Sequence, residues 1–285
     1  MSEKIFFKPK QSINIKGELY DLSKPKVMAI LNITPDSFHH ASRTKSIDDA
    51  LAKTTDFLNK GATFIDVGGY SSRPGATDIS ANEEADRVVP VVEALVSEFP
   101  KLAMSIDTFR AQVAEECISA GAAMINDISA GDMDASMFKT VARLRVPYIM
   151  MHMQGTPQNM QKNPVYKDVT LDIFDYLAQK IAELRALNIH DVLIDPGFGF
   201  GKTLKQNYKL LNEMEAFQAF NLPILVGVSR KGMIYKTLET TAAGALNGTT
   251  VLNTIALQKG ASILRVHDVT EAMECIKLLE VLEQQ

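Results

Sequence analysis

The chain has 285 residues, of which 46% are hydrophobic and 22% charged, and its formal net charge is −4. This composition is ordinary for a soluble globular protein, and the length allows one large or two small domains. A negative net charge gives no electrostatic support to a nucleic-acid role. No apolar run is long enough for a membrane span, and the N-terminus lacks a signal-peptide core. Cys117 and Cys275 are far apart in the sequence, so we expect two reduced, buried thiols in a cytoplasmic protein.

Residues 4–20 alternate weakly, which predicts a short N-terminal hairpin that turns around Lys10-Gln11 and closes one end of a larger body. A strand–helix pattern then recurs along the chain. Apolar runs typical of strands lie at 27–33, 63–67, 102–106, 123–128, 146–151, 191–195, 223–228 and 262–266. Amphipathic stretches typical of helices lie at 47–60, 81–98, 110–121, 134–144, 168–188, 203–219, 243–259 and 270–283. Glycines follow three of these stretches, where a left-handed residue is expected to end a helix: Gly61, Gly121 and Gly260.

Strand–helix units with continuous apolar strands predict a parallel sheet that is buried on both faces. About 250 residues is the usual size of a closed (β/α)8 barrel. We therefore expect residues 1–285 to form a single α/β domain, a (β/α)8 TIM barrel with a short N-terminal β-hairpin. A doubly wound open sheet is the alternative, and it is less favoured because one open sheet of eight parallel strands is less common.

Polar side chains stand at the C-terminal end of every predicted strand, which is where a (β/α)8 barrel holds its active site. In chain order these ends carry Asn32, the segment 68–75, Asp107-Thr108, Asn126-Asp127, His152, Asp195, the segment 229–231 and the segment 265–268. Each buried polar group would need its own hydrogen bonds, so stability alone explains this distribution poorly. We interpret these residues as one site at the mouth of the barrel.

The segment 192–203 (VLIDPGFGFGKT) concentrates these features. A short apolar strand ends at Asp195, because the proline that follows cannot donate to a sheet ladder. Three alternating glycines allow a ligand to approach the backbone closely, and Phe198 and Phe200 lie between them. Lys202-Thr203 then opens a predicted helix. The glycine spacing fits neither the Walker A loop nor the G-x-G-x-x-G pattern. A plain strand-to-helix turn is the alternative, but it needs one glycine rather than three.

The candidate residues are of two chemical kinds. Asp107, Asn126 and Asp195 carry planar donor and acceptor groups that suit a ring with amide and amino edges. A cationic set suits phosphate and comprises Arg73, Lys202, Lys231, Arg265 and His267. We therefore predict a heterocycle deep in the barrel mouth and an anion near its rim. No Ser-His-Asp or Cys-His set stands out, and the histidines are not spaced as zinc ligands.

Eight segments occur in order over nearly the whole chain: LNITPDSF, GGYSSRPGA, SIDTFR, INDISAG, MMHMQGTPQNMQ, IDPGFGFGKT, VGVSRKGMI and RVHDV. Together they resemble the dihydropteroate synthase family. The resemblance implies a (β/α)8 barrel, usually a homodimer, that joins 6-hydroxymethyl-7,8-dihydropterin diphosphate to 4-aminobenzoate in folate synthesis and releases pyrophosphate.

The resemblance also implies roles for individual positions. The pterin ring would be held by Asp107, Asn126, Asp195 and Lys231, and the Mg²⁺ that accompanies the diphosphate by Asn32. The diphosphate would be held by Arg265 and His267, with Ser72 and Arg73 near it. The aminobenzoate pocket would be lined by Phe38, Ser72, Arg73, Pro74, Phe200, Ser229 and Lys231.

The implied reaction begins with departure of pyrophosphate, which leaves a cation-like methylene on the pterin. Mg²⁺, Arg265 and His267 would stabilise the leaving charge, and Asp195 the charge on the ring. The aromatic amine is neutral near pH 7, so no strong general base is required. The loops at 34–38 and 70–74 would close over the site and exclude water, although ordinary surface loops are the alternative interpretation.

The chain departs from the family pattern in both loops. His39-His40 replaces a common glycine pair, Tyr70 stands where an acidic residue is common, and Ser72 stands where threonine is common. Serine keeps the hydroxyl group and loses only a methyl contact. None of these changes removes a residue that the implied mechanism requires.

Three other functions fit parts of the pattern. A pterin-binding methyltransferase would share the Asp–Asn–Asp ring site but would not need the 265–267 set or the SRPG loop at 72–75. A Schiff-base aldolase would use Lys231 or Lys202, but such a lysine usually lies within a strand in an apolar pocket. A non-catalytic pterin-binding homologue should have lost Asn32, the loop arginine or the diphosphate set, and all of these are present.

Overall fold

The computed structural model of the chain describes residues 11–33, 43–72 and 77–283. The strands are β1 (Ser12–Ile15), β2 (Glu18–Asp21), β3 (Lys26–Asn32), β4 (Phe64–Gly68), β5 (Ala103–Asp107), β6 (Met124–Asp127), β7 (Tyr148–Met151), β8 (Val192–Asp195), β9 (Ile224–Val226) and β10 (Ala261–Val266). The α-helices are α1 (Arg43–Asn59), α2 (Ala81–Glu98), α3 (Ala111–Ser119), α4 (Met137–Leu144), α5 (Val169–Ala186), α6 (Leu204–Asn212), α7 (Gly232–Thr237), α8 (Leu246–Gln258) and α9 (Val269–Glu283).

Strands β3 to β10 are all parallel and close into a barrel, with β10 paired to both β9 and β3. Helices alternate with the strands along the chain and pack on the outside of the barrel, where a large apolar cluster lies between the two layers. The prediction of a (β/α)8 barrel is confirmed, and the alternative of an open sheet is wrong.

The N-terminal hairpin is present, but its turn is not where the alternation placed it. Strands β1 and β2 pair from Ser12 with Asp21 to Ile15 with Glu18. The turn is therefore Lys16-Gly17, not Lys10-Gln11, and both turn residues have positive φ, 52° and 87°. A two-residue hairpin turn of this kind needs a residue such as glycine that tolerates positive φ, and Gly17 provides it.

The hairpin closes the N-terminal end of the barrel, as predicted. Ile13 and Ile15 from β1 belong to one buried cluster with apolar side chains from inside the barrel, among them Phe64 and Leu193. These four side chains are between 0 and 2% exposed. The lower half of the barrel is therefore a packed apolar core, which leaves only the opposite end open to polar chemistry.

Two helical segments differ from the prediction. The stretch 203–219 is not one helix, because α6 ends at Asn212 and a 3₁₀ helix follows at Met214–Phe220. Its start is as predicted: Thr203 forms a capping box with Gln206. The short helix α7 was not predicted, since six residues are too few for a clear period of 3.6.

Smaller predictions also have a structural outcome. Gly61, Gly121 and Gly260 follow their helices with positive φ, which confirms their role as helix ends. Cys117 and Cys275 are buried free thiols, as predicted. None of the helices in the described ranges is long and apolar enough to cross a membrane.

Candidate active site

The candidate active site is a cavity at the C-terminal ends of the barrel strands. Each strand from β4 to β10, or the loop that follows it, supplies at least one lining residue: Ser72, Asp107, Asn126, Ile128, Met151, Asp195, Phe200, Gly227, Lys231 and Arg265. The closed parallel barrel explains this convergence, because the carboxyl ends of all its strands meet at one face. The cavity brings together most of the described residues that the sequence predicts for the site.

The three residues predicted to hold a heterocycle, which we call the ring-side residues, all line this cavity: Asp107, Asn126 and Asp195. Asn126 and Asp195 are each 4% exposed, and the Asp195 Oδ1 accepts a hydrogen bond from the Gly197 amide at 2.7 Å. Burial raises the pKa of Asp107 to about 7 and also raises the pKa of Asp195, and the neighbouring cations offset only part of this effect. Charges in such a poorly solvated place interact more strongly than charges in water, so the two carboxylates are well placed to act on a cationic group.

Arg265 spans the barrel mouth from β10. Its Nε donates to the Asp66 Oδ2 and its Nη2 donates to the Asp107 Oδ2, both at 2.6 Å. The cation predicted for the anion site therefore contacts a ring-side carboxylate directly. Asp66 was missed by the sequence analysis, although a carboxylate within the apolar run 63–67 is a signal that marks it.

Lys231 reaches the cavity from the N-cap position of α7. Its Nζ donates to the Phe198 carbonyl at 2.6 Å and lies 4.7 Å from the centre of the Phe200 ring. Burial lowers the pKa of Lys231 to about 8, against the raising effect of Asp195. The charged ammonium therefore still predominates at neutral pH. The loop at residues 197–201, which we call the glycine loop, packs closely on this side chain. A Cβ added at Gly199 would lie 3.2 Å from the Lys231 Cδ.

Lys202 does not line the cavity, which contradicts its interpretation as a phosphate-binding cation. It is 3% exposed, and its Nζ donates to the carbonyl oxygens of Gly197 and Phe200 at 2.8 and 3.0 Å. The Nζ also lies 3.1 Å from the Nδ1 of His152. Burial lowers the pKa of His152 to about 2, so the imidazole is neutral, and in the tautomer that carries its proton on Nε2 the Nδ1 accepts this hydrogen bond. Lys202 fastens the glycine loop to the end of β7.

Two side-chain contacts join the loops after β9 and β10. The Ser229 Oγ lies 3.0 Å from the His267 Nδ1 and accepts from the His267 amide at 3.2 Å. Arg230 donates to both carboxylate oxygens of Asp268, each at 2.8 Å. Arg230 has a left-handed φ of 53°, a conformation that costs a non-glycine residue about 1–3 kcal/mol. This bidentate pair holds the turn that carries Ser229 and Lys231. Arg230 and Asp268 both stand at predicted strand ends, where nothing in the sequence indicates that they pair.

Asn32 lies half-buried at the end of β3 and is the predicted Mg²⁺ ligand. Within the described ranges there is no group of three or more His, Cys, Asp or Glu side chains that could hold a metal ion. Mg²⁺ commonly binds to one or two protein oxygens, while substrate phosphates and water complete its shell. A single amide oxygen beside a diphosphate would fit this coordination preference, so Asn32 is compatible with the predicted Mg²⁺.

Part of the predicted aminobenzoate pocket lies outside the described residues, namely Phe38, Arg73 and Pro74, and so does the His39-His40 pair. Tyr70, the other departure from the family pattern, is described. It is 8% exposed and its hydroxyl accepts from the Gln158 Nε2 at 2.8 Å. Its ring packs edge-on against Phe109, with 5.0 Å between the ring centres. The tyrosine thus ties the loop after β4 to the loop after β7.

Known proteins share this fold and much of this sequence. The family described as pterin binding enzyme matches residues 28–267. The dihydropteroate synthase of Escherichia coli (strain K12) is 43% identical over 267 residues, which cover 93% of this chain and 94% of the relative. The structure of Yersinia pestis dihydropteroate synthase with a sulfonamide drug complex has a TM-score of 0.90 and 42% identity, and the match covers 96% of this chain and 100% of that chain. Xanthomonas albilineans dihydropteroate synthase with 4-aminobenzoic acid has a TM-score of 0.89 and 35% identity, with 96% and 98% covered. The chain therefore belongs to the pterin-binding enzyme family and, within it, to the dihydropteroate synthases.

Proposed function

We propose that the protein condenses 6-hydroxymethyl-7,8-dihydropterin diphosphate with 4-aminobenzoate, giving 7,8-dihydropteroate and pyrophosphate. The observation that carries this proposal is the convergence of Asp107, Asn126, Asp195 and Lys231 on one cavity, with Arg265 across its mouth. Such a cavity combines hydrogen-bonding groups for a polar ring with cations for a diphosphate. The reaction named for the relatives, dihydropteroate synthesis, uses a ligand of this kind.

The ring side of the cavity would recognise the pterin by its hydrogen-bonding edges. The Asp195 and Asp107 carboxylates would accept from ring and amino N–H groups, and the Lys231 ammonium would donate to a ring oxygen or nitrogen. Charge-assisted hydrogen bonds of this kind are roughly twice as strong as neutral ones. Because Asn126 and Asp195 are almost fully buried, a ligand bound there would also be shielded from water.

In the reaction, the bond between the pterin methylene carbon and the bridging diphosphate oxygen breaks, and its electron pair leaves with pyrophosphate. The nitrogen lone pair of 4-aminobenzoate then forms the new C–N bond, and the amine releases a proton. Arg265 and His267 would stabilise the leaving anion, and the Asp195 carboxylate would stabilise the cation-like ring. Mg²⁺, which Asn32 would hold, would neutralise part of the diphosphate charge when bound.

The second substrate would enter above the ring. Ser72, Phe200 and Lys231 line the cavity and would contact 4-aminobenzoate. Ser229 does not line the cavity, and its predicted contact with 4-aminobenzoate is proposed from the family resemblance alone. Phe38, Arg73 and Pro74 complete this predicted pocket. The Yersinia pestis structure is a sulfonamide drug complex and the Xanthomonas albilineans structure contains 4-aminobenzoic acid, so we also expect sulfonamides to compete for this pocket here. A homodimer and a cytoplasmic location remain predictions from the family resemblance and from composition.

A Schiff-base enzyme that uses Lys231 is the second candidate, because burial lowers the pKa of this lysine to about 8. We rank it lower for two reasons. Asp195 favours the charged form of Lys231, whereas a Schiff base needs the neutral amine, and the relatives are named as synthases. Trapping with borohydride and a carbonyl substrate would label Lys231 if this second candidate were correct.

The deciding experiment measures pyrophosphate release from the purified protein with pterin diphosphate and Mg²⁺, in the presence and absence of 4-aminobenzoate. We expect release to rise with 4-aminobenzoate and a condensed product to appear by mass spectrometry. Release without 4-aminobenzoate would show that water captures the pterin cation. Tight pterin binding with no release would contradict the proposed reaction and favour a non-catalytic binder.

A further inference from the structure

Asp66 lies one side-chain layer below the cavity, in the middle of β4, and is fully buried. Its Oδ2 accepts two hydrogen bonds, from the Asn126 Nδ2 at 2.9 Å and from the Arg265 Nε at 2.6 Å. Its Oδ1 is buried and has no hydrogen-bond partner among the described residues. A buried carboxylate with an unused oxygen is costly unless its partners compensate for the lost water. The burial of Asp66 therefore carries a desolvation cost, and both of its partners line the active site.

The contact with Asn126 determines which group this side chain shows to a ligand. Its Nδ2 donates one of its two N–H groups to the carboxylate below, so its Oδ1 and its second N–H are the groups left for the cavity. An amide oxygen accepts hydrogen bonds, and the pterin ring offers N–H donors along its edge. Asp66 thus fixes the orientation of the Asn126 amide and leaves its Oδ1 available as an acceptor.

The contact with Arg265 works on the anion side of the same site. The guanidinium has two carboxylate partners, and they differ in access: the Asp66 side chain is 0% exposed, whereas the Asp107 side chain is 20% exposed. A ligand can therefore replace the bond to Asp107 but cannot reach the bond to Asp66. Arg265 can exchange Asp107 for the diphosphate while its Nε stays fixed.

We propose that Asp66 is a positioning residue for both halves of the substrate, orienting the Asn126 amide toward the pterin ring and anchoring Arg265 while its terminal nitrogens pass from Asp107 to the diphosphate. This inference rests on the proposed function, because it assigns the two contacts to the two parts of the pterin diphosphate. It predicts that changing Asp66 alters the balance between ring affinity and diphosphate affinity, and not only stability.

The chain offers a matched control for a purely structural role. Glu84 on α2 is also 0% exposed, also has one buried oxygen without a partner among the described residues, and also pairs with an arginine, Arg110. Neither member of this pair lines the cavity or contacts Asn126 or Arg265. Glu84→Gln therefore removes a buried charge of the same chemistry from a place that does not hold the substrate.

The test uses equilibrium binding of two ligands, 6-hydroxymethylpterin and its diphosphate, by calorimetry with Mg²⁺ present and 4-aminobenzoate absent. The oxidised ring is used because it stabilises a methylene cation less and so keeps its diphosphate. Asp66→Asn keeps an acceptor for Asn126 but removes the charge that anchors Arg265. A hydrogen bond to a charged group corresponds to about a ten- to hundred-fold change in affinity. We expect diphosphate affinity to fall about ten-fold or more, and the affinity of the free alcohol to fall less than three-fold.

Asp66→Ala removes both contacts, so the affinities of both ligands should fall about ten-fold or more. Glu84→Gln should leave the ratio of the two affinities as in the wild type, whatever it does to the melting temperature. Arg265→Ala provides the reference, since it should reproduce the Asp66→Asn pattern in stronger form. An unchanged ratio in Asp66→Asn, tighter diphosphate binding in that variant, or an equal shift in Glu84→Gln would each overturn the proposal.

A second measurement reports the contact itself and needs no ligand. In arginine-labelled protein, the Arg265 Nε–H should give an NMR signal that exchanges slowly with water, assigned by its loss in Arg265→Lys. The signal should lose its protection in Asp66→Ala, which removes the acceptor oxygen, and keep it in Glu84→Gln; protection that survives in Asp66→Ala contradicts the anchor. The two proposals fail separately, because turnover of the wild type with 4-aminobenzoate tests the reaction, whereas these binding ratios and this signal test Asp66.

Discussion

Asp195→Asn is the substitution that best separates recognition from chemistry. It keeps the shape of the side chain and a hydrogen-bond acceptor for the Gly197 amide, which now bonds the Asp195 Oδ1 at 2.7 Å. It removes the negative charge from a position that is 4% exposed. We expect the variant to fold, to bind the pterin more weakly and to turn over much more slowly.

The expected loss has two parts. One charge-assisted hydrogen bond to the ring is worth about 2 kcal/mol, which is about thirty-fold in affinity. A carboxylate about 6 Å from a developing unit charge, at an effective dielectric constant of about 20, contributes about 3 kcal/mol, which is about a hundred-fold in rate. Together they predict that kcat/KM falls by a factor of about 10³ to 10⁴.

The assay is steady-state pyrophosphate release at saturating 4-aminobenzoate, with pterin affinity measured separately. Asp127→Asn is the control, because Asp127 is also a buried carboxylate at a strand end but serves the fold. It accepts from the Ser129 and Gly131 amides and from the Tyr148 hydroxyl, at 2.7, 2.9 and 2.7 Å. That variant should melt at a lower temperature with kcat/KM within a few-fold of wild type. A folded Asp195→Asn protein within ten-fold of wild-type kcat/KM would refute the assignment of the ring charge to Asp195.

Three further predictions concern the second substrate, pH and the glycine loop. Ser72→Ala should raise KM for 4-aminobenzoate several-fold and leave KM for the pterin diphosphate within two-fold; an unchanged aminobenzoate KM would place Ser72 outside that pocket. Because the pKa of Lys231 is lowered to about 8, pterin affinity should fall as pH rises from 7 to 9, and in Lys231→Arg, whose charge persists, it should vary less. In the folded protein the pKa of Lys231 lies below its ordinary value of 10.5, so below about pH 8 the protonated Lys231 lowers the free energy of unfolding. This loss of stability disappears as the pH rises toward 10.5. Gly197→Ala should lower the melting temperature more than Gly199→Ala, since its Cβ would overlap the His152 carbonyl oxygen whereas that of Gly199 would lie 3.2 Å from the Lys231 side chain; equal losses would contradict this.

The barrel was predictable because each strand is buried on both faces and so appears as a continuous apolar run. The helix ends at Gly61, Gly121 and Gly260 were predictable because positive φ selects glycine. The hairpin turn was misplaced because weak alternation of apolar and polar residues does not determine the strand register. The turn lies instead at Lys16-Gly17, where glycine tolerates the positive φ. The break between α6 and the 3₁₀ helix that follows it depends on tertiary packing and has no proline or glycine to mark it.

Most residues of the site could be predicted from the sequence, but the hydrogen bonds between them could not. Polar residues at strand ends converge in any closed parallel barrel, so Asp107, Asn126 and Asp195 could be grouped from sequence alone. The sequence could not show that the Lys202 ammonium donates to carbonyl oxygens of the glycine loop, because those contacts depend on the folded conformation of the loop. Asp66 was missed for the opposite reason, since it stands inside an apolar run and acts only through its neighbours.

The charges around the cavity bear on how one site could hold a diphosphate group and then a cation-like ring. Three acidic side chains, Asp66, Asp107 and Asp195, lie close to two cations, Arg265 and Lys231, and burial raises the pKa of Asp107 to about 7. Under the proposed exchange, a bound diphosphate would draw Arg265 from Asp107. Because Arg265 lowers the pKa of Asp107 against the effect of burial, its withdrawal would favour the neutral carboxyl. The negative charge for the proposed ring cation is therefore assigned to Asp195, which keeps Lys231 as its neighbouring cation. Arg265→Ala should therefore slow turnover beyond its effect on diphosphate affinity, because Arg265 would also stabilise the leaving pyrophosphate; weaker diphosphate binding with an unchanged kcat would contradict this.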